Sequence, residues 1–217
     1  MLAHELVDGV VVDVLNRTAD EVFALAARFP RIPFFAFSSF RPDHGVLLAR
    51  CRHAGLRDVL VDGVDRPVAA EIVSRLSASS ERKRVLTDAP RRLHLTEALQ
   101  QRAWDEILLR AGTPTSTSDI ARALGHTREH LSREFGAGGA PNLKRVIDLA
   151  RVVCAADLLG NPGYAVRDVE RVLHYSSPSH FAGAARRIAG TTPAGLAALG
   201  PRGVFLRFLK GRTRSRI

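Results

Sequence analysis

Ser116-Thr-Ser-Asp-Ile-Ala-Arg-Ala-Leu-Gly125-His-Thr-Arg-Glu-His130-Leu-Ser-Arg-Glu-Phe135 is the stretch from which the rest of the chain is read. A Ser/Thr cluster supplies an N-cap, and Ile120, Ala121 and Leu124 then give a short helix one apolar face. Gly125 ends that helix, because glycine takes a positive φ without steric cost just past a helix end. Thr127 caps a second helix whose Leu131 and Phe135, one turn apart, point back at Ile120 and Leu124. The pattern is that of a helix-turn-helix. Its outward residues, Glu129, His130, Ser132 and Arg133, are all able to hydrogen-bond. In a helix-turn-helix that face lies in the major groove of DNA, against base edges and phosphates. An ordinary helical hairpin with a solvated face is the plainer alternative.

Charge points the same way. The chain has 217 residues and a formal net charge of +10. Residues 1–90 carry 12 Lys+Arg and 12 Asp+Glu, whereas residues 91–217 carry 20 and 10, so the second half holds the whole excess. A polyanionic partner for that half follows, nucleic acid before a membrane surface. The start, Met-Leu-Ala-His-Glu-Leu-Val-Asp, has no signal-peptide pattern, and no apolar run reaches membrane-spanning length, so a cytoplasmic location without membrane contact is expected. Cys51 and Cys154 stand alone inside helical patterns and read as small core residues.

The first half alternates short apolar strands with helices. Val10–Leu15 reads as a parallel strand buried on both faces. Thr18-Ala-Asp-Glu21 reads as a capping box opening a helix that stops before Pro30, and Pro33–Ser38 as a second strand. A helix over Val46–Ala54 ends at Gly55, Asp58–Val61 is a third strand, and Pro67 opens a helix through Leu76. The expected fold is βαβαβα with three parallel strands over residues 1–80, α/β joined to an all-α remainder.

These residues resemble the second half of a response-regulator receiver domain: Val-Val-Val-Asp13 as the strand bearing the phospho-acceptor, Ser38 ending the next, and Ala-Gly55 before Asp58-Val-Leu-Val. The family also uses an acidic pair from an earlier strand, absent here, and a lysine and proline where Asp62 and Gly63 stand. Without the pair no Mg²⁺ site forms, and Asp62 adds negative charge where phosphoryl chemistry needs positive. The resemblance therefore implies a pseudo-receiver with Asp13 structural or vestigial. The family's first two strands are also missing, which leaves a sheet edge open to pairing, either with a second copy or with residues of a longer frame.

Ser77–Arg92 loses apolar periodicity, and 81–92 is expected as a linker. Thr96–Arg110 reads as a helix bearing Leu99, Ala103, Trp104, Ile107 and Leu108, and the all-helical domain is placed at 93–200. The opening stretch then recurs: Val166, Val169 and Leu173 stand for the first helix, Ser176–Pro178 opens the second, and Phe181 takes the place of Leu131. Between them Leu143, Val146, Ile147, Ala150, Cys154 and Leu158 stripe one longer helix closed by Gly160.

Two helix-turn-helices joined by a helix resemble the AraC/XylS regulators over residues 116–196. The resemblance rests on Ile-Ala121, Leu-Gly125, Thr127, Leu131-Ser-Arg133 and Phe135, on Arg151-x3-Ala155-x2-Leu158-Leu159, and on Phe181 and Gly190-Thr-Thr-Pro193. It implies a sequence-specific transcription regulator that is not an enzyme, with double-stranded DNA and RNA polymerase as partners; the open sheet edge adds the expectation of a homodimer through the N-terminal domain, and no cofactor is expected. It assigns Arg133 and Ser132 to bases or phosphates, Glu129 to cytosine and His130 to the backbone. Ser179 and His180 correspond in the second unit, and Arg186 and Arg187 suit phosphates. The second unit departs from the family at Glu170, His174, Gly183 and Ala185, so its reading helix is expected to be the weaker.

The tail 201–217 places Arg202, Arg207, Lys210, Arg212, Arg214 and Arg216 around Val204, Phe205, Leu206, Phe208 and Leu209. Solvated disorder is the default for it, phosphate contact or an amphipathic extension the alternatives. His126 and His130 stand one turn apart with no third ligand in view, so no metal is expected. An interaction adaptor and a phospho-switched response regulator are the competing functions.

Overall fold

The computed structural model describes residues 2–16 and 19–212, without the side chain of Arg212. The chain separates into two compact units. One comprises Val7–Ser80 with Asn161–Gly163. The other comprises the segment ending at Leu6, Glu81–Gly160 and the residues from Tyr164 onward.

In the first unit β1 (Val10–Val12), α1 (Ala19–Arg28), β2 (Phe34–Ser38), α2 (Gly45–His53), β3 (Asp58–Val61) and α3 (Ala69–Ser77) follow in order. The sheet is parallel with strand order β1-β2-β3, Val10 opposite Phe34 and Phe35 opposite Asp58. Phe34, Phe35 and Ala36 on the central strand are buried on both faces, as a covered parallel strand requires. β1 departs from the expectation. Val11 is 51% exposed, because β1 is an end strand with a strand partner on one side only among the described residues. The helix expected from Pro67 begins later, at Ala69, with Pro67 in the preceding turn. The capping box at Thr18 falls outside the described residues.

The second unit is helical: α4 (Glu81–Leu93), α5 (Ala98–Leu109), α6 (Thr117–Ala123), α7 (Arg128–Phe135), α8 (Leu143–Leu159), α9 (Val166–Val172), α10 (Pro178–Ala189) and α11 (Gly195–Arg212). The expected linker 81–92 is instead α4. Its inner stripe is Arg82, Leu86, Ala89 and Leu93, and one of those four is a charged residue, so an apolar scan misses the period. Buried Arg82 lies 3.8 Å from buried Asp157 of α8.

α8 is the centre of this unit. Leu149, Val152, Val153, Ala155 and Ala156 are buried as well as the expected stripe, so the helix is covered on all sides. It packs against α4, α5, α6, α9, α10 and α11. The solvated tail is also corrected for residues 201–212. They are helical, and Val204, Phe205 and Phe208 are buried, because apolar residues at this spacing make one face that covers α8. α11 is interrupted at Gly200, with φ 61° and ψ 176°, just before Pro201. Residues 213–217 lie outside the described residues. Cys51 and Cys154 are both buried, and neither is in a disulfide.

Candidate nucleic-acid interface

The α6–α7 pair is fixed at each junction by hydrogen bonds that the sequence specifies. Ser116 accepts from the Asp119 amide at 3.2 Å while Asp119 accepts from the Ser116 amide at 2.9 Å, a reciprocal cap on α6. Past the end of α6, Gly125 takes φ 73° and the His126 amide donates back to Ala121 at 2.9 Å. That bond satisfies one of the carbonyls a helix end leaves open. Thr127 then accepts from the His130 amide at 3.2 Å and starts α7. Ile120, Ala121, Leu131 and Phe135 are buried between the two helices and their neighbours.

About fifty residues further on the same bonds recur. His174 takes φ 50°, the Tyr175 amide donates to Glu170 at 2.9 Å, and Ser177 accepts from the His180 amide at 3.1 Å to start α10. The departure from glycine keeps the left-handed position and its bond back to the helix, with one more residue before the cap than in the first pair. Buried Arg151 of α8 donates from Nη2 to the Leu173 carbonyl at 2.6 Å, and its guanidinium lies 4.2 Å from the Tyr175 ring centroid. A cation is thereby set against the negative end of α9. The Tyr175 ring stacks on Phe181 at 4.5 Å, which ties the turn to α10.

Of the residues singled out on α7, Glu129, Ser132 and Arg133 are exposed, and His130 is half-buried. The Arg133 side chain is 74% exposed, 3.3 Å from Glu134 and 3.4 Å from His130 Nδ1. The His130 ring also lies 5.0 Å from that of His126, so one imidazole is held between a second ring and a guanidinium. On α10 Ser179 is exposed, whereas His180 is half-buried with Nδ1 3.0 Å from Ser176 Oγ. Arg186 is exposed and, among the described residues, has no side-chain partner. Arg187 folds back along its helix to Asp148 Oδ2, 3.5 Å away, and a Cβ at Gly183 would stand 3.1 Å from its guanidinium. Gly183, read from sequence as a weakness, leaves room for that path. Asp148 is buried and also accepts from Lys144 at 2.7 Å.

The first pair meets one residue of the second, Arg187, at a common hollow. Thr117 of α6, Arg128 and Ser132 of α7, Lys144 of α8 and Arg187 of α10 line one hollow of about 420 Å³ around Asp148. Three contributors escaped sequence reasoning. Gln100 of α5 is buried and donates to the Phe135 carbonyl at 3.0 Å, closing the end of α7. Lys144 and Asp148 sit one turn apart within a helix read only for its apolar stripe. Their opposite charges at that spacing were the available signal.

At the carboxyl ends of the strands in the first unit, Ser38 donates to Asp13 Oδ1 at 2.6 Å, and Asn16 and the Leu15 amide complete the shell. The Ser38 hydroxyl holds the Asp13 carboxyl below the usual carboxylate range. Asp62, whose amide donates to the Ser38 carbonyl, is paired with Arg66 at 2.9 Å, which lowers it likewise. Among the described residues no three His, Cys, Asp or Glu side chains converge on a metal-sized site, and no helix is long and apolar enough to cross a membrane.

No protein-family model, no curated protein and no solved structure matches the chain.

Proposed function

We propose that this chain is a DNA-binding transcription regulator of AraC type, in which α6–α7 and α9–α10 are two helix-turn-helix units. The observation that carries this reading is the repeated junction: a left-handed residue, an amide bonded back to the preceding helix, then a Thr or Ser cap, at Gly125–Thr127 and again at His174–Ser177. A solvated hairpin has no need to repeat this set of bonds around one central helix, with one residue between the left-handed position and the cap in the first pair and two in the second. The basic excess of the second half suits the phosphate backbone. Arg133 and Ser132 read bases on α7 with Glu129 beside them, Ser179 contributes from α10, and Arg186 meets phosphates.

The α/β unit acts in this reading as a partner or self-association module without chemistry. Its end strand β1, half exposed at Val11, supports pairing with a second copy. RNA polymerase contact belongs to the same reading. The adaptor alternative draws on the internal engagement of His180 and Arg187, which leaves the second unit fewer groups for DNA.

Selection from a random duplex pool, followed by salt titration on the selected and scrambled sequences, tests the reading. A preferred site is expected. Arg133→Ala should cost about 1–3 kcal/mol on that site and much less on scrambled duplex, as a lost base contact does. Absence of salt-dependent binding to any duplex would favour the adaptor.

A further inference from the structure

The start of α8, the end of α10 and the end of α11 enclose a cleft of about 570 Å³ whose wall carries Arg145, Arg186, Arg187, Arg207 and Lys210. Among its described lining residues there is no carboxylate. Like charges gathered from three helices repel one another, so such a hollow needs an explanation.

Part of it is structural. Arg207 donates from Nη1 to the Ala189 carbonyl at 3.1 Å and so caps α10, and Arg187 is shared with Asp148. Arg145 lies over the Phe208 ring at 5.1 Å, which fixes its guanidinium beside α11 without neutralising it. Capping accounts for one donor of Arg207 and for none of those on Arg145 or Arg186. Neither of these has a carboxylate partner among the described residues. The two guanidiniums are planar donors suited to oxyanions with two oxygens to offer.

We propose that this cleft binds adjacent phosphate groups, with Arg145 and Arg186 as the principal ligands and Arg207 and Lys210 at its α11 side. Two sources present that chemistry: a free polyphosphate, or successive backbone phosphates of a duplex. Only the second rests on the DNA-binding reading, and in that case α11 extends the footprint beyond the two helix pairs.

The test uses the full chain. Calorimetric titration with sodium tripolyphosphate, against sodium sulfate at equal ionic strength, addresses the free ligand. Salt titration of duplex binding addresses the backbone. Arg186→Gln and Arg145→Gln are the variants, chosen because neither side chain makes a hydrogen bond within the described residues, with Arg207→Lys as a charge-preserving control. Thermal melting confirms that each variant is folded.

Saturable binding of tripolyphosphate with a Kd of roughly 1–100 micromolar, weakened about tenfold or more in both Gln variants and absent for sulfate, supports a free polyphosphate. No tripolyphosphate binding, but a salt slope on duplex lowered by about one unit in each Gln variant, supports the backbone. Unchanged behaviour of both Gln variants in both titrations overturns the proposal. Tripolyphosphate binding in a chain that binds no duplex would refute the DNA reading and leave the cleft standing.

Discussion

Replacing Arg151 by methionine isolates what holds the second helix pair. The residue is 4% exposed, its guanidinium bonded to the Leu173 carbonyl at 2.6 Å and set 4.2 Å from the Tyr175 ring centroid, while Nε has no hydrogen-bond partner among the described residues. Methionine keeps most of the length and volume, so cavity formation is a small part of the change. A hydrogen bond from a charged donor is worth about 1.5–3 kcal/mol and a desolvated cation–π contact about 2 kcal/mol. Against these stands the relief of a buried charge with one unsatisfied nitrogen. The opposing terms leave an expected loss of about 2–4 kcal/mol, a large share of the ~5–15 kcal/mol that holds a domain together. The single tryptophan, Trp104, is buried in α5 of the same unit, so its fluorescence under urea follows that unit rather than the α/β unit. Extrapolated stabilities of wild type and Arg151→Met give the difference. Amide exchange should quicken most in α9 and at the start of α10. A loss below about 0.5 kcal/mol would show that desolvation cancels the bonds and that the turn at His174 stands without Arg151.

His174→Gly at φ 50° should raise stability by about 0.5–1 kcal/mol in the same urea assay, since a left-handed residue with a Cβ carries strain that glycine lacks. A decrease would mean that the unfolded-state entropy of glycine outweighs the strain relieved. The chain's two tyrosines should both stay protonated beyond the ordinary value: burial pushes Tyr164 up to about 12 and Tyr175 further. Because these folded pKa values are raised, the stabilisation they link is complete below the unfolded value of about 10 and is lost as pH climbs towards 12. Tyrosinate absorbance should appear only together with unfolding, and a phenol titrating near the unfolded value in the intact fold would contradict the burial. Acetyl phosphate should leave no acid-labile phosphate on Asp13, whose oxygens already accept from Ser38, Asn16 and Leu15. With its pKa depressed, Asp13 contributes stability above the ordinary aspartate value of 3.8 that disappears as pH falls through the folded value. The gap in melting temperature between wild type and Asp13→Asn should therefore close only in acid.

The α/β unit and the main helices were legible because their signals are local. The three strands are short apolar runs bounded by turn residues, and the ends of α6, α8 and α10 are marked by Gly125, Gly160 and Gly190. What escaped notice was encoded by pairing across the fold. α4 is invisible to an apolar scan because one position of its inner stripe is Arg82, and that position becomes internal only when Asp157 of α8 lies opposite. Residues 201–212 look like a solvated basic arm until α8 supplies the surface that Val204, Phe205 and Phe208 cover. Gln100 looks like a surface residue of α5, yet its amide finds the carbonyls that end α7. On the candidate surface the exposed residues of α7 were readable from periodicity, whereas the sharing of Arg187 with Asp148 depends on how α10 approaches α8.

The second helix pair shows how a departure from a motif is absorbed by its surroundings. A histidine at a left-handed position costs ~1–2 kcal/mol that glycine avoids. A glycine inside α10 costs about 1 kcal/mol more. From sequence alone these add up to a weakened unit. In the fold each is met by a specific arginine. Arg151 binds the carbonyl just before His174 and packs on the ring just after it, so the strained residue lies between two anchored neighbours. Arg187 uses the space over Gly183 to reach Asp148, which joins α10 to α8. The backbone of the pair is thus kept while its outward chemistry changes, from a face that offers donors to one in which His180 and Arg187 are spent on internal bonds. If the chain reads DNA, discrimination should therefore reside in α7, with Arg186 supplying mainly charge from α10.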